Sequence, residues 1–120
     1  MQQTYGQIER LERIFETLEK SPRGKKCGGM EGLLEEGKEM MGEDIDAEVL
    51  DAALIAAAQK VEHYEISSYG TVRAYAQLLG DNTAMELLTQ TLEEEVAADE
   101  KLKLHAKSGI NVEAMEAETA

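Results

Sequence analysis

Between Asp46 and Leu79 the chain contains no proline, and Gly70 is its only glycine. Proline breaks a helix interior because it removes a donor and clashes with the preceding turn. Its absence over so long a stretch predicts one helix of about 50 Å at 1.5 Å per residue. Ala52, Ala53, Ala56, Ala57 and Ala58 are small enough to let a second helix approach closely. Asp46 is a good N-cap, with Ile45 and Leu50 at the positions of a hydrophobic staple. Gly80-Asp81-Asn82 reads as a tight turn, and Thr83-Ala84-Met85-Glu86 has the form of a capping box that opens a last helix. That helix is expected to end near Ser108, with Gly109 as its C-cap. Two long helices joined by three or four residues form an antiparallel hairpin.

The rest of the chain is helical too. Ile8, Leu11, Ile14, Phe15 and Leu18 follow helical spacing between Gln2 and Glu19, and Ser21-Pro22-Arg23-Gly24 stops that helix. Met30, Leu33, Leu34, Met40 and Met41 predict a short amphipathic helix from about Gly29 to Met41, weakened by Gly32 and Gly37. No strand-type alternation stands out. The expected class is therefore all-α: an incomplete up-down helical bundle, built from a long antiparallel hairpin, one shorter helix and a short connecting helix. Residues 1–109 are expected to form a single helical domain, and residues 110–120 a flexible C-terminal tail.

The formal charge of −13 argues against nucleic acid, because a phosphate-binding surface needs a basic field. It equally disfavours an anionic membrane surface, and no apolar run approaches the length of a membrane span. The single cysteine, Cys27, allows no intrachain disulfide, which fits a reducing cytoplasm. Two lysines precede Cys27, and these would lower its pKa somewhat. The first helix is only about half as long as the third and cannot cover it end to end. A second copy filling the trough beside the hairpin would make the protein a homo-oligomer, most simply a dimer.

Acidic residues interrupt the apolar stripes of the hairpin. On the last helix the inward line reads Met85, Leu88, Leu92, Glu95, Asp99, Leu102. On the helix before it, the line reads Leu54, Ala58, Val61 or Glu62, Glu65, Tyr69, Val72. A carboxylate in such a stripe is costly unless something neutralises it, and the two obvious neutralisers are a metal ion and a paired base. Glu62 and Glu65 stand one turn apart, as do Glu95 and Asp99 on the facing helix. Oxygen-rich sets of this kind suit iron or manganese. The competing reading places Glu62 on a solvated face and Glu95 within the charge run Glu93-Glu94-Glu95, with Arg10, Arg13, Arg73 or water satisfying any inward acid.

His63 points about 100° away from its neighbour Glu62 and lines up with Gln59, Ser67 and Gly70. That places it as a packed or hydrogen-bonded residue rather than a metal ligand. Tyr69 continues the Glu62/Glu65 line, within reach of a carboxylate. No nucleophile elbow, phosphate loop or zinc-type Cys/His spacing is present.

Four stretches carry a more specific likeness. They are Gly6-Gln7-Ile8-Glu9-Arg10-Leu11-Glu12-Arg13-Ile14-Phe15; Gly24-Lys25-Lys26-Cys27 with Met30-Glu31-Gly32-Leu33; Val61-Glu62-His63-Tyr64-Glu65-Ile66 with Tyr69-Gly70-Thr71; and Glu94-Glu95 with Ala98-Asp99-Glu100-Lys101-Leu102. In order and spacing, from about residue 3 to residue 110, they resemble the bacterial YciE/YciF family. The resemblance implies a ferritin-like four-helix protein associated with stress responses, with a dimetal site of carboxylates. It matches Glu62 and Glu65 to the family's third-helix acids, and Glu95 and Asp99 to its fourth-helix acids. It also implies that the family's first helix and the start of its second have no counterpart in this chain. The last helix departs from the Glu-x-x-His pattern of dimetal bundles: Ala98 stands three residues after Glu95, and Asp99 four. Two functions follow as expectations, a stress-associated protein with a carboxylate-bound iron or manganese site, and a non-enzymatic helical homodimer or interaction module without metal.

Overall fold

The computed structural model describes all 120 residues and contains helices only: α1 (Gln2–Thr17), α2 (Gly28–Gly42), α3 (Ala47–Leu78), α4 (Asn82–His105) and α5 (Asn111–Thr119). A five-residue π-helical stretch, Ala106–Ile110, joins α4 to α5. The all-α class and the long hairpin of the sequence reading hold. No helix is long and apolar enough to cross a membrane.

Backbone contacts divide the chain into two units. The first comprises Met1–Lys25 and Glu65–Val96, the second Lys26–Tyr64 and Ala97–Ala120. In the first unit Arg73 Nε donates to Thr89 Oγ1 at 2.7 Å, an antiparallel pairing of α3 with α4. Its core is Ala76, Ala84 and Leu88, against which Leu11, Ile14, Tyr69 and Met85 pack. Arg10 of α1 donates to both oxygens of Glu94 on α4, at 2.6 and 2.9 Å, and to Thr91 Oγ1 at 3.0 Å. Gln7 adds a 3.2 Å bond to the same carboxylate. This two-pronged guanidinium–carboxylate pair is the strong form of an ion pair and fixes the register of α1 on α4. In the second unit Gln59 of α3 meets Asp99 of α4 at 3.2 Å, and Lys60 pairs with Glu36 of α2 at 2.9 Å.

Two helix ends use the same closure. At the end of α3, Asp81 N–H donates to the Ala76 carbonyl and Gly80 N–H to that of Gln77, with Gly80 at φ 70°. At the end of α1, Lys20 N–H donates to the Phe15 carbonyl and Glu19 N–H to that of Glu16, with Glu19 at φ 53°. Both are Schellman motifs, which need one left-handed residue. Gly80 meets that need without strain, whereas Glu19 carries a Cβ into it.

Three expectations change. The capping box at Thr83 is absent: the side chain of Asp81 accepts from Ala84 N–H at 3.0 Å. Asp81 stands two residues before Thr83 and caps the helix there, so α4 opens at Asn82 and Thr83 lies inside it. The stretch expected to be a tail, 110–120, contains helix α5. Gly109 does break the helical geometry, at φ 167° and ψ −40°, but the chain beyond it resumes a helix. Ala, Glu and Met dominate that segment, and all favour helix. Val72, placed on the inward line of α3, is 42% exposed, and Ala57 and Ala76 are that helix's buried residues.

The two closures give a direct test. Glu19→Gly should raise unfolding stability by about 0.5–1 kcal/mol, and Gly80→Ala should lower it by about 1 kcal/mol or more, each read from urea denaturation. Equal effects of the same sign would contradict the left-handed assignment.

Candidate carboxylate site

The buried residues of α4 are Ala84, Leu87, Leu88, Thr91, Glu95 and Asp99. Up to Leu88 they are apolar, and beyond it all are polar. Thr91, Glu95 and Asp99 are 1%, 4% and 3% exposed, and they are the chain's buried polar residues. Spaced by four, they lie on one helix face.

Each meets a different environment. Thr91 accepts from Arg10. Asp99 is surrounded by donors: Lys103 Nζ at 2.6 Å, His63 Nε2 at 3.0 Å and Gln59 Nε2 at 3.2 Å. Chiefly the Lys103 hydrogen bond, then those of Gln59 and His63, hold the Asp99 carboxyl below its ordinary value against the opposing effect of burial. Glu95 has no such donor at its Oε1, which is buried and without a hydrogen-bond partner.

Around Glu95 the neighbours are themselves acids. Glu65 of α3 lies close enough for its carboxyl to be pushed above its ordinary value, first by burial and then by the charge of Glu95. Glu62 stands one turn earlier on α3. Glu65 and Glu95 each offer an oxygen, and these two lie within 4.8 Å of one another. Tyr69, one turn beyond Glu65, has its phenol pushed up by burial and by Glu65 and Glu95, with Arg10 opposing. The Arg10 charge is spent on Glu94, whose carboxyl it holds below its ordinary value.

Of the four acids singled out in the sequence, the structure thus brings Glu65 and Glu95 together, keeps Glu62 one turn before Glu65 on α3, and gives Asp99 to Lys103, His63 and Gln59. His63 is hydrogen-bonded, as its place beside Gln59 suggested, and its side chain is 61% exposed. Arg10 and Arg73 do not reach the inward acids: the first binds Glu94 and Thr91, the second Thr89. The residues that sequence reasoning missed are Thr91 and Lys103. Lys103 carries a legible signal, since it follows Asp99 by four. Cys27 is exposed and lies 2.9 Å from the Tyr64 hydroxyl, and that hydrogen bond, rather than the lysines before it, leads the lowering of its pKa.

An all-helical bundle with acids turned inward between facing helices defines a carboxylate-bearing member of the helical-bundle class. The comparisons narrow this. Residues 1–115 match a family described as a domain of unknown function, DUF892. Protein YciF of Escherichia coli (strain K12) is 50% identical over 115 residues, spanning 95% of this chain and 69% of that protein. The crystal structure of that E. coli stress protein matches with a TM-score of 0.86 over 92% of this chain and 70% of its own. YcfI from Rhodopseudomonas palustris, a candidate structural protein, matches at 47% identity and a TM-score of 0.81, over 85% of this chain and 65% of its own. The chain belongs to the YciF family and spans about two thirds of the length of these relatives.

The raised Glu65 pKa has a definite sign. The fold favours the protonated acid, so the ionised form costs stability. That cost is absent below the ordinary value of 4.5, sets in as pH rises through it, and is complete above the raised value. In chelator-treated protein, Glu65→Gln should therefore match the wild type at pH 4 and melt a few degrees higher at pH 7. A variant that is less stable at pH 7 would contradict the assignment.

Proposed function

We propose that this member of the YciF family is a stress-associated, cytoplasmic bundle protein whose Glu62, Glu65 and Glu95 hold a divalent cation, iron or manganese. The observation that carries this reading is Glu95 Oε1, a buried oxygen without a hydrogen-bond partner, in a chain that sets the Glu65 carboxylate within 4.8 Å of the Glu95 carboxylate. A buried carboxylate needs a proton, a base or a cation, and no base is hydrogen-bonded to this oxygen. The donor set is all oxygen, which suits hard and borderline ions. A point midway between the Glu65 and Glu95 oxygens is at most about 2.4 Å from each, within the 2.0–2.6 Å that such ions require.

A bound ion would neutralise the three acids and, if it were iron, add a one-electron redox couple. The chain's own residues set the terms of binding. Glu65 has to surrender the proton that burial favours, so affinity should rise with pH. Asp99, already matched to Lys103, stays outside the site. Glu94, tied to Arg10, does the same.

Titration of chelator-treated protein with Mn²⁺, and with Fe²⁺ under anaerobic conditions, tests this. At a hundredfold excess over Kd a single ion should stabilise by about 2.7 kcal/mol, on the order of 10 °C in Tm. Glu95→Gln should weaken binding at least about 100-fold, more than loss of an outer-shell partner does, while Asp99→Asn leaves it within severalfold. No Tm shift at millimolar metal, or equal losses in both variants, would overturn the three-acid site.

A second reading has its own support. The chain buries five apolar side chains, Ala57, Ala76, Ala84, Leu87 and Leu88, and three of these are alanines. So small a core suits a protein stabilised by association, a helical homodimer or interaction module without metal. A dimer indifferent to chelator, with no metal-dependent melting, would favour it.

A further inference from the structure

The end of α1, the end of α3 and the start of α4 border an apolar groove of about 230 Å³ in the first unit. Its floor is that unit's core cluster, Ala76, Ala84 and Leu88. Its walls are Leu18, which follows α1, and Val72, Tyr75 and Leu79 along α3. Those four are 51%, 42%, 58% and 84% exposed, so large apolar side chains stand in water around an opening that leads to the core. Apolar residues scattered singly are normal on a surface, whereas a contiguous set around a hollow marks a contact site. Asp81 is the one charged residue in the lining, and its carboxylate is taken up in capping α4. Val72, Tyr75 and Leu79 stand at i, i+3 and i+7, a single stripe about 10 Å long. Leu79 N–H still donates to the Tyr75 carbonyl, so the helical spacing holds as far as that residue.

We infer that this groove is the seat of an amphipathic helix from outside these 120 residues, laid between α1 and α3 with one or two apolar side chains in the hollow. The inference goes beyond both readings above, since it needs neither a cation nor a second copy of the chain. Size and shape name the occupant. A hollow of about 150 Å³ accommodates a benzene-sized group, so this one takes side-chain tips, and it falls short of the roughly 300–1,000 Å³ of a small-molecule pocket. Both walls are helical, and two such walls present the ridges between which a third helix packs. An extended segment would need an open sheet edge, and the chain contains helices only. The relatives supply a source. The 115 residues matched to Protein YciF are 69% of that protein, so about 50 of its residues have no counterpart here. That length is enough for more than one helix of three or four turns.

Binding of a fluorophore-labelled peptide, the segment of E. coli Protein YciF outside the match, to the whole chain is the test. It is read by anisotropy, with circular dichroism of the same mixtures. The Kd should be micromolar, because ordering a free helix offsets part of the contact energy, and the helical signal should exceed the sum of the separate components. Tyr75→Lys with Leu79→Lys should weaken binding at least about 100-fold, with the chain's own helical signal unchanged because both side chains are solvent-facing. Tyr75→Ala with Leu79→Ala, which brings no charge to the groove, should weaken it about tenfold or more. Leu78→Lys, 84% exposed but about 100° round the helix from Leu79, should leave it within about twofold. No binding at about 100 μM peptide, or equal losses in the Leu78 and groove variants, overturns the helix seat. Self-association of the wild type that Tyr75→Lys with Leu79→Lys abolishes overturns it too, because a second copy would then be the occupant.

Discussion

The inward face of α4 changes from apolar to polar at Thr91, and the fold depends on how those polar groups are neutralised. A carboxylate that leaves water without a partner costs several kcal/mol, a large share of the stability of a domain this size. Asp99 meets that demand with a lysine one turn away on its own helix and two side chains from α3. Glu94 meets it with the guanidinium of Arg10. Glu95 meets other acids instead. The contrast lies within one helix and within six residues, so it is not a general effect of an acidic chain. The arrangement supplies cations to the acids on either side of Glu95 and withholds one from Glu95 itself.

The hairpin that brings these groups together turns on one residue. Asp81 N–H closes α3 by donating to the Ala76 carbonyl, and the Asp81 side chain opens α4 by accepting from Ala84 N–H. Gly80 makes this double use possible by taking the left-handed conformation. A three-residue connection fixes the register of α3 on α4, and that register sets which acid faces which. The Arg10 pair then fixes α1 against α4 and keeps Glu94 turned away from Glu95.

Much of this was legible in the residues. The lack of proline gave the long helix, and the Gly80-Asp81 pair gave its turn. The spacing of Glu62 and Glu65 set them one turn apart on α3, and the place of Glu95 on the opposite stripe put its charge near Glu65. What failed did so for physical reasons. Asp99 continues the Glu95 line, yet its neighbours on α3 at that level are Gln59 and His63, and a cross-helix level depends on the turn, not on one helix's period. The capping box at Thr83 lost to an aspartate two residues earlier that caps Ala84 N–H and leaves Thr83 inside the helix. Gly109 signalled a stop, and a glycine stop says nothing of whether a helix resumes after it. The YciE/YciF resemblance, now matched by 50% identity to Protein YciF, carried the fold across these local errors.

The small core and the inward acids are one problem seen from two sides. After Leu88, each fully buried position of α4 holds a polar group, and the apolar residues Leu92, Ala98 and Leu102 are only half-buried. At about 1.5–3 kcal/mol for each buried aliphatic side chain, Thr91, Glu95 and Asp99 together replace several kcal/mol of ordinary core. Ion pairs recover part of that deficit, though a buried pair rarely exceeds the hydrophobic contact it displaces. A cation among the carboxylates or a second copy of the chain would supply the remainder, because each would bind the folded chain and not the unfolded one. A chain that kept only its own contacts would gain stability from replacing Glu65 and Glu95 with apolar residues. On the proposed reading, the acids at both positions serve a bound species, and the fold bears their cost.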